Sequence, residues 1–287
     1  MTTSAPLLIV NADDYGLTTG VARAILDAHR TGIVTSTSVL TLSPAFDKTA
    51  PWLLDEPALG TGAHLAVVGE DPPLLSAREI PTLVDRRGML ANSWRQFLPR
   101  AAAGRVDPDD LHREFSAQIN RIKDAGLTID HFDTHQNLHL WPLVQRVVME
   151  LGELHDVRVI RITRSTATSP VGVVVRRLAR RLEATCDRAG WSYAAASTGL
   201  DEAGHLAEPD MIQALFRLAS IGGDAAELAT HPGEADDADL VRYPWDYQWG
   251  DEYAALRSDA VRAAVDELGF RLGTFGDLVA ERRRGAS

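Results

Sequence analysis

The chain has one cysteine among 287 residues, Cys186, so no intrachain disulfide can form. That usage fits a reducing compartment, and a cytoplasmic setting is the expectation. Cys186 sits in an arginine-rich, helix-like stretch and reads as a buried bystander thiol rather than a nucleophile. There is no apolar run of membrane-spanning length, and no basic region followed by a signal-type apolar segment opens the sequence. An excess of positive charge is absent too. Lysine and arginine number 29 against 40 acids, a net charge of −11, which argues against a nucleic-acid partner. No internal repeat and no linker is visible. With 45% hydrophobic and 24% charged residues, the composition is that of a soluble globular protein able to bury a sizeable core.

What is present starts with LLIVNADDYG at residues 7–16. Leu7–Val10 is the kind of apolar run found in a strand buried on both faces. It ends in two adjacent acids, Asp13 and Asp14, then Gly16, with Thr18 or Thr19 placed to cap a following helix. In open α/β sheets and β/α barrels alike, that end of a strand carries the ligand site. Two carboxylates there need a cation, either a metal or a basic side chain. Solvated helix-capping acids are the plainer reading.

Short β-prone runs then alternate with amphipathic segments. Strands are expected at 33–42, 59–67, 127 onward, 157–163, weakly at 191–197, and at 227–230 and 270–275. Helices are expected at 44–54, 107–126, from Pro142, at 170–189, 207–221, 251–268 and to about 283. Residues 68–106, with Pro72, Pro73, Pro81, Gly88, Pro99 and Gly104, form a long excursion of the kind used for lids and binding loops. This pattern of seven or eight β/α units predicts one α/β domain over 1–287, a distorted β/α barrel in preference to an open doubly wound sheet.

Four strand ends carry side chains suited to metals or proton transfer: Asp13 with Asp14, His64, Asp133 with His135 and His139, and His231. Singly, each has a structural explanation, such as a hydrogen-bonded core histidine. Together, at one barrel mouth, one carboxylate and two imidazoles would make a facial ligand set for a divalent cation. The remaining acids and histidine would be free for acid–base work. Asp13 and Asp133 could instead form a glycosidase-type carboxylate pair.

NADDYG, the GAH at 62–64, DTHQNLH at 133–139, THP at 230–232 and RLGTFGDL at 271–278 resemble the YdjC-like carbohydrate deacetylases. That group includes chitooligosaccharide deacetylase and a hopanoid-associated deacetylase. The resemblance runs in order from residue 7 to about 279. It implies a distorted β/α barrel related to the polysaccharide deacetylases, acting on an N-acetylated sugar. It further implies Asp14, His64 and His135 as ligands of magnesium or zinc, Asp13 as general base, and His231 as general acid. Arg161 would orient substrate or Asp13, while Asp133, His139 and Asn137 would back the ligands. Tyr15 stands where relatives usually have Phe, and Asn137 where many have His. Another metal-dependent sugar hydrolase or isomerase is the alternative, and a homodimer is allowed for. The aromatic set Tyr243, Trp245, Tyr247 and Trp249, with the 68–106 excursion, is expected to wall the sugar site.

Overall fold

The computed structural model describes residues 5–285. Its first strand, β1 (Leu7–Tyr15), is buried along its whole length. After it, the Thr18 hydroxyl accepts the Val21 N–H at 3.0 Å and caps α1 (Thr19–Thr31). β2 (Ser36–Val39) and α2 (Phe46–Thr49) follow, the latter running into a 3-10 turn over Ala50–Asp55. Then come β3 (Gly60–Leu65) and α3 (Trp94–Ala102), the helix lying inside the proline-rich excursion. In α4 (Pro108–Asp124) the Asp107 carboxylate accepts the Asp109 N–H at 2.9 Å, and Leu111, Phe115, Ile119 and Ile122 are all buried. β4 (His131–Thr134) leads through a 3-10 turn, His135–Leu140, into α5 (Pro142–Leu154). The remainder is α6 (Pro170–Ala189), β5 (Ala196–Thr198), α7 (Glu208–Ile221), β6 (Ala225–Thr230), α8 (Trp249–Leu256), α9 (Asp259–Glu267), β7 (Arg271–Leu272) and α10 (Phe275–Gly285).

All strand pairs are parallel, in the order β4-β3-β2-β1-β6-β5, with β7 on the first residues of β1. The two edges are linked by the segment around residue 160. Ile160 bridges to Phe132 of β4 and Val159 bridges to Ser192, ahead of β5. The sheet thus curls round on itself as a distorted α/β barrel, and every parallel strand sends its C-terminal end to one mouth.

Several sequence expectations change: the strand expected at 270–275 is reduced to Arg271–Leu272, with Phe275 opening α10, and three more differ. Residues 157–163 form isolated bridges instead of a strand. The Arg161 carbonyl, which a ladder would use, is taken by the His139 ring at 3.0 Å. The helix expected over 251–268 is two helices. Ser258 Oγ caps the second by accepting the Ala260 N–H at 3.1 Å, and the Leu256 carbonyl is spent on the Ile33 N–H. The helix expected at 44–54 is a short α-helix continued as a 3-10 turn. Cys186 is buried as expected, and burial pushes its thiol up to about 12, far from a thiolate nucleophile.

Candidate active site

The register of β1 against β2 advances three residues on β1, Ala12 to Tyr15, for two on β2, Thr37 to Val39. That extra residue is a β-bulge at the Asp13–Asp14 pair. Asp14 has φ of +67°, in the left-handed region where a non-glycine residue is held only by its surroundings. In a regular strand consecutive side chains face opposite sides. The bulge instead lets both acids line one cavity of about 380 Å³, together with His64, His135, Arg161 and His231. Gly16, with φ of +96° and no room for a Cβ against the Leu40 carbonyl, completes the turn.

Asp14 Oδ1 is buried and has no hydrogen-bond partner among the described residues. Two imidazole nitrogens face it, His64 Nε2 from β3 and His135 Nδ1 from the turn after β4, both at 3.4 Å. Two ligand atoms about 2.1 Å from a common ion at the tetrahedral angle stand about 3.4 Å apart. The donor set therefore fits a divalent cation. Burial alone would raise Asp14, but His135, His64 and His231 hold its carboxyl down to about 2. Burial would lower His64, yet Asp133, Asp14 and Asp13 lift it to about 9.

Behind the ligands, Asp133 Oδ1 accepts the His64 Nδ1–H at 2.9 Å, which turns Nε2 toward Asp14. A second grouping of Asp13, His64 and Asp133 is also close enough to suggest a metal. Its carboxylates are already engaged: Asp133 also binds Ser38 and Arg161, and Asp13 Oδ1 accepts from Arg161 Nη1 and Asn11 Nδ2, each at 2.6 Å. The Asp14 grouping is the open one.

Arg161 is 1% exposed and lies inside the barrel among three acids, Asp13, Asp133 and Glu227, the last accepting from Nε at 2.6 Å. Burial opposes its charge, but those carboxylates hold it well above the usual arginine range. His231 Nε2 stands 3.8 Å from Asp13 Oδ2, and its buried Nδ1 has no partner. The Glu252 carboxylate fixes the backbone here by accepting the His231 N–H at 2.5 Å and the Leu206 N–H at 3.2 Å.

Of the other sequence candidates, His139 lies away from the cavity. Its Nε2–H donates to the Arg161 carbonyl, and the Thr134 hydroxyl donates to its Nδ1, each at 3.0 Å. Burial lowers it to about 4, so it is a neutral structural group. Asn137 lines the cavity with its Oδ1 held by the Thr163 hydroxyl. Trp245 and Tyr247 wall the cavity, Trp245 tilted against the His135 ring (centroids 5.1 Å) and Tyr247 edge-on to the His231 ring (4.9 Å). Tyr243 and Trp249, expected beside them, are buried. The Tyr243 hydroxyl donates to Asp71 Oδ2 at 2.8 Å, and Trp245 Nε1–H to Glu70 at 2.9 Å, tying this strap to the long excursion. The excursion itself supplies Ser93, Trp94 and Arg95 to the cavity. Glu227 and Ser38 were missed. The available signal for Glu227 was a single charge inside the otherwise uncharged strand AAELAT.

Fold and site together define a β/α-barrel protein with an acid-and-imidazole centre at the strand ends. The chain belongs to the YdjC-like protein family, whose sequence profile matches residues 7–267. It is similar to a carbohydrate deacetylase of Brevibacillus brevis, 27% identical over 274 residues, 94% of this chain and 99% of the relative. A carbohydrate deacetylase of Listeria monocytogenes serotype 4b (strain CLIP80459) is 37% identical over 154 residues, covering 54% of this chain and 60% of that protein. The match thus spans somewhat less than two thirds of the Listeria relative. Among solved structures, one from Enterococcus faecalis V583, described as a candidate cellobiose-phosphate cleavage protein, superposes with a TM-score of 0.78 at 25% identity, covering 96% of this chain and 99% of that one.

Proposed function

We propose that this protein is a hydrolase that removes the N-acetyl group of an amino sugar, or of an N-acetylated oligosaccharide or glycoconjugate, and releases acetate. The observation that carries the reading is the buried, unpartnered Asp14 Oδ1 faced by two imidazole nitrogens at 3.4 Å, with Asp13 and His231 at its side. Asp14, His64 and His135 would hold a divalent cation, zinc or magnesium, and the two imidazoles favour zinc on ligand softness. When bound, such a cation polarises a carbonyl oxygen and lowers the pKa of water.

The chain's own groups divide the remaining work. Asp13 Oδ1 is pinned by Arg161 and Asn11, which leaves Oδ2 to accept the proton of the attacking water. Arg161 sets the orientation of Asp13, and Asp133 sets that of His64. His231 donates from Nε2 to the departing amine, which leaves poorly unless protonated. Trp245 and Tyr247 offer ring faces to a sugar and shield the site from water. Because these groups come from β1, β3, β4 and β6, we read the chain as one catalytic domain. Its lone buried thiol suits a reducing, cytoplasmic setting. A family relationship with carbohydrate deacetylases supports the sugar amide as substrate.

Glycosidic cleavage through Asp13 and Asp133 is less well supported. Asp133 is tied by His64, Arg161 and Ser38, and His64 and Arg161 hold it far below the usual carboxylate range, so it has no proton to give. The test is product analysis on N-acetylated sugars, with chelation and re-addition of zinc, magnesium, manganese or cobalt. Acetate release that disappears and returns is expected. New reducing ends without acetate, or full activity in metal-free protein, would overturn the proposal.

A further inference from the structure

Below the candidate site, the barrel holds two ionisable groups that take no part in the chemistry proposed above, Asp130 and His131. His131 opens β4 and is fully buried, and Asp130 just before it is partly exposed. The Asp130 carboxylate accepts the His131 Nδ1–H at 2.6 Å, and His131 Nε2 is hydrogen-bonded to Ser38 Oγ at 3.2 Å. A serine, an imidazole and a carboxylate in this order have the layout of a nucleophilic triad. Ser38, however, is fully buried and does not line the catalytic cavity, so it meets no substrate. The geometry leaves a positioning role.

The sheet is cleared for this contact. Ser38 of β2, Gly62 of β3 and His131 of β4 are register partners, one row across three neighbouring strands. Gly62, in the middle, has no side chain, so Ser38 and His131 meet over its bare backbone. A Cβ at Gly62 would lie 2.2 Å from His131 Nε2, and one at Gly60 would lie 2.7 Å from Asp130 Oδ2. Phe275 also packs on the His131 ring, with centroids 4.2 Å apart.

Ser38 is the point at which both halves of the centre are tied. Its hydroxyl donates to Asp133 Oδ2 at 3.0 Å, and Asp133 in turn orients His64. It accepts from Asn11 Nδ2 at 2.9 Å and from Arg161 Nη1 at 3.2 Å, the two groups that pin Asp13. Resting on the deacetylase reading above, we propose that Asp130 and His131 are positioning residues for the reaction, setting the aim of Asp13 and of His64 through Ser38. A serine hydroxyl is free to choose among three staggered rotamers unless its neighbours decide for it. Asn11, Arg161 and Asp133 belong to the cluster being aimed. Among the described residues, His131 is the hydrogen-bond partner of Ser38 that lies outside that cluster, and Asp130 anchors its ring. Linked hydrogen bonds in so dry an interior reinforce one another, which carries the constraint upward.

The experiment compares His131→Phe, which keeps the bulk of the ring, with His131→Gln, whose amide reaches the Nε2 position, and with Ser38→Ala. Acetate release from N,N′-diacetylchitobiose is measured with full-length zinc-loaded protein, and zinc affinity by competition with a chromogenic chelator. Partners bonded directly to a metal ligand typically matter by ~10- to 100-fold, so His131→Phe, further removed, should lower kcat and zinc affinity by about threefold to tenfold. KM should stay within about twofold, since no substrate contact is touched. His131→Gln should bring kcat and zinc affinity back to within about twofold of the wild type. Ser38→Ala should lose at least as much as His131→Phe, and combining the two should cost nothing further. Asp130→Ala, at a partly exposed position, should move both quantities in the same direction, and it carries the test if His131→Phe does not fold. A lower thermal midpoint with unchanged kcat and zinc affinity would make the dyad purely structural and overturn the proposal. Additive losses in the Ser38→Ala, His131→Phe double variant would overturn it as well. No acetate from the wild type would overturn the deacetylase reading, and the zinc affinities would still decide whether the dyad positions His64.

Discussion

Replacing Arg161 by leucine is the sharpest test of how the barrel interior is held together. The guanidinium is 1% exposed and donates to Glu227 and Asp13 at 2.6 Å each, and to Asp133. Removing one member of a buried ion pair typically costs about 3 to 5 kcal/mol, because a charge is left without compensation. Here three acids lose their common cation, so Arg161→Leu should cost at least that much. For a chain of this size, about 2 °C per kcal/mol converts this to a thermal midpoint lower by roughly 6 to 10 °C. Adding Glu227→Leu should return at least about 1 kcal/mol. Burial already raises the Glu227 carboxyl, and its Oε2 has no partner even with the arginine in place. The assay is urea unfolding at pH 7 of the two single variants and the double. A loss below about 1 kcal/mol for Arg161→Leu, or strictly additive effects in the double, would refute the charge-balance argument.

Three further outcomes are expected. Asp13→Asn should keep bound metal and lose about 10²- to 10⁴-fold in kcat, whereas Asp14→Asn should lose metal and be partly rescued by excess; the reverse pattern in elemental analysis would swap the two roles. His139, lowered to about 4 against an unfolded value near 6.5, contributes stability that is fully present above about pH 6.5 and is lost as pH falls toward 4, at up to about 1.4 kcal/mol per pH unit. His139→Gln should flatten that acid limb in urea midpoints measured at pH 4.5, 5.5 and 7, and an unchanged slope would remove His139 as its source. Gly62→Ala should destabilise by more than about 2 kcal/mol, since a Cβ there would stand 2.2 Å from the His131 ring inside the barrel; an unchanged melting curve would contradict that packing.

Much of the candidate site was legible because residues suited to metals or proton transfer stand at or near expected strand ends: Asp13, His64, Asp133 and His231. The alternation of elements likewise exposed the barrel, because buried parallel strands and amphipathic helices carry different periods. What was hidden depends on side chains meeting across the barrel. Nothing local says that Glu227 and Arg161 face each other 66 positions apart, or that Ser38 joins them. The strand at 157–163 failed because a ring nitrogen of His139 took the carbonyl a ladder needed. The break at Ser258 was readable in principle, as a serine ahead of Asp259, but the uninterrupted apolar stripe outweighed it. For the aromatic set, composition alone could not separate Trp245 and Tyr247, which face the cavity, from Tyr243 and Trp249, which hold the strap down.

The bulge at the end of β1 has a mechanical meaning. Asp13 and Asp14 are joined by one peptide unit, so their Cα atoms stand about 3.8 Å apart whatever the strands around them do, while Arg161 and Asn11 orient the Asp13 carboxylate. The other participants ride on separate strands: His64 on β3, His135 beyond β4 and His231 just past β6. Loosening of the sheet would therefore change the distances from the acids to the imidazoles more than the backbone spacing between the acids themselves. A single backbone irregularity makes one half of the centre insensitive to the fold's imperfections, and leaves the tolerance of the whole to be set by how well the neighbouring strands stay in register.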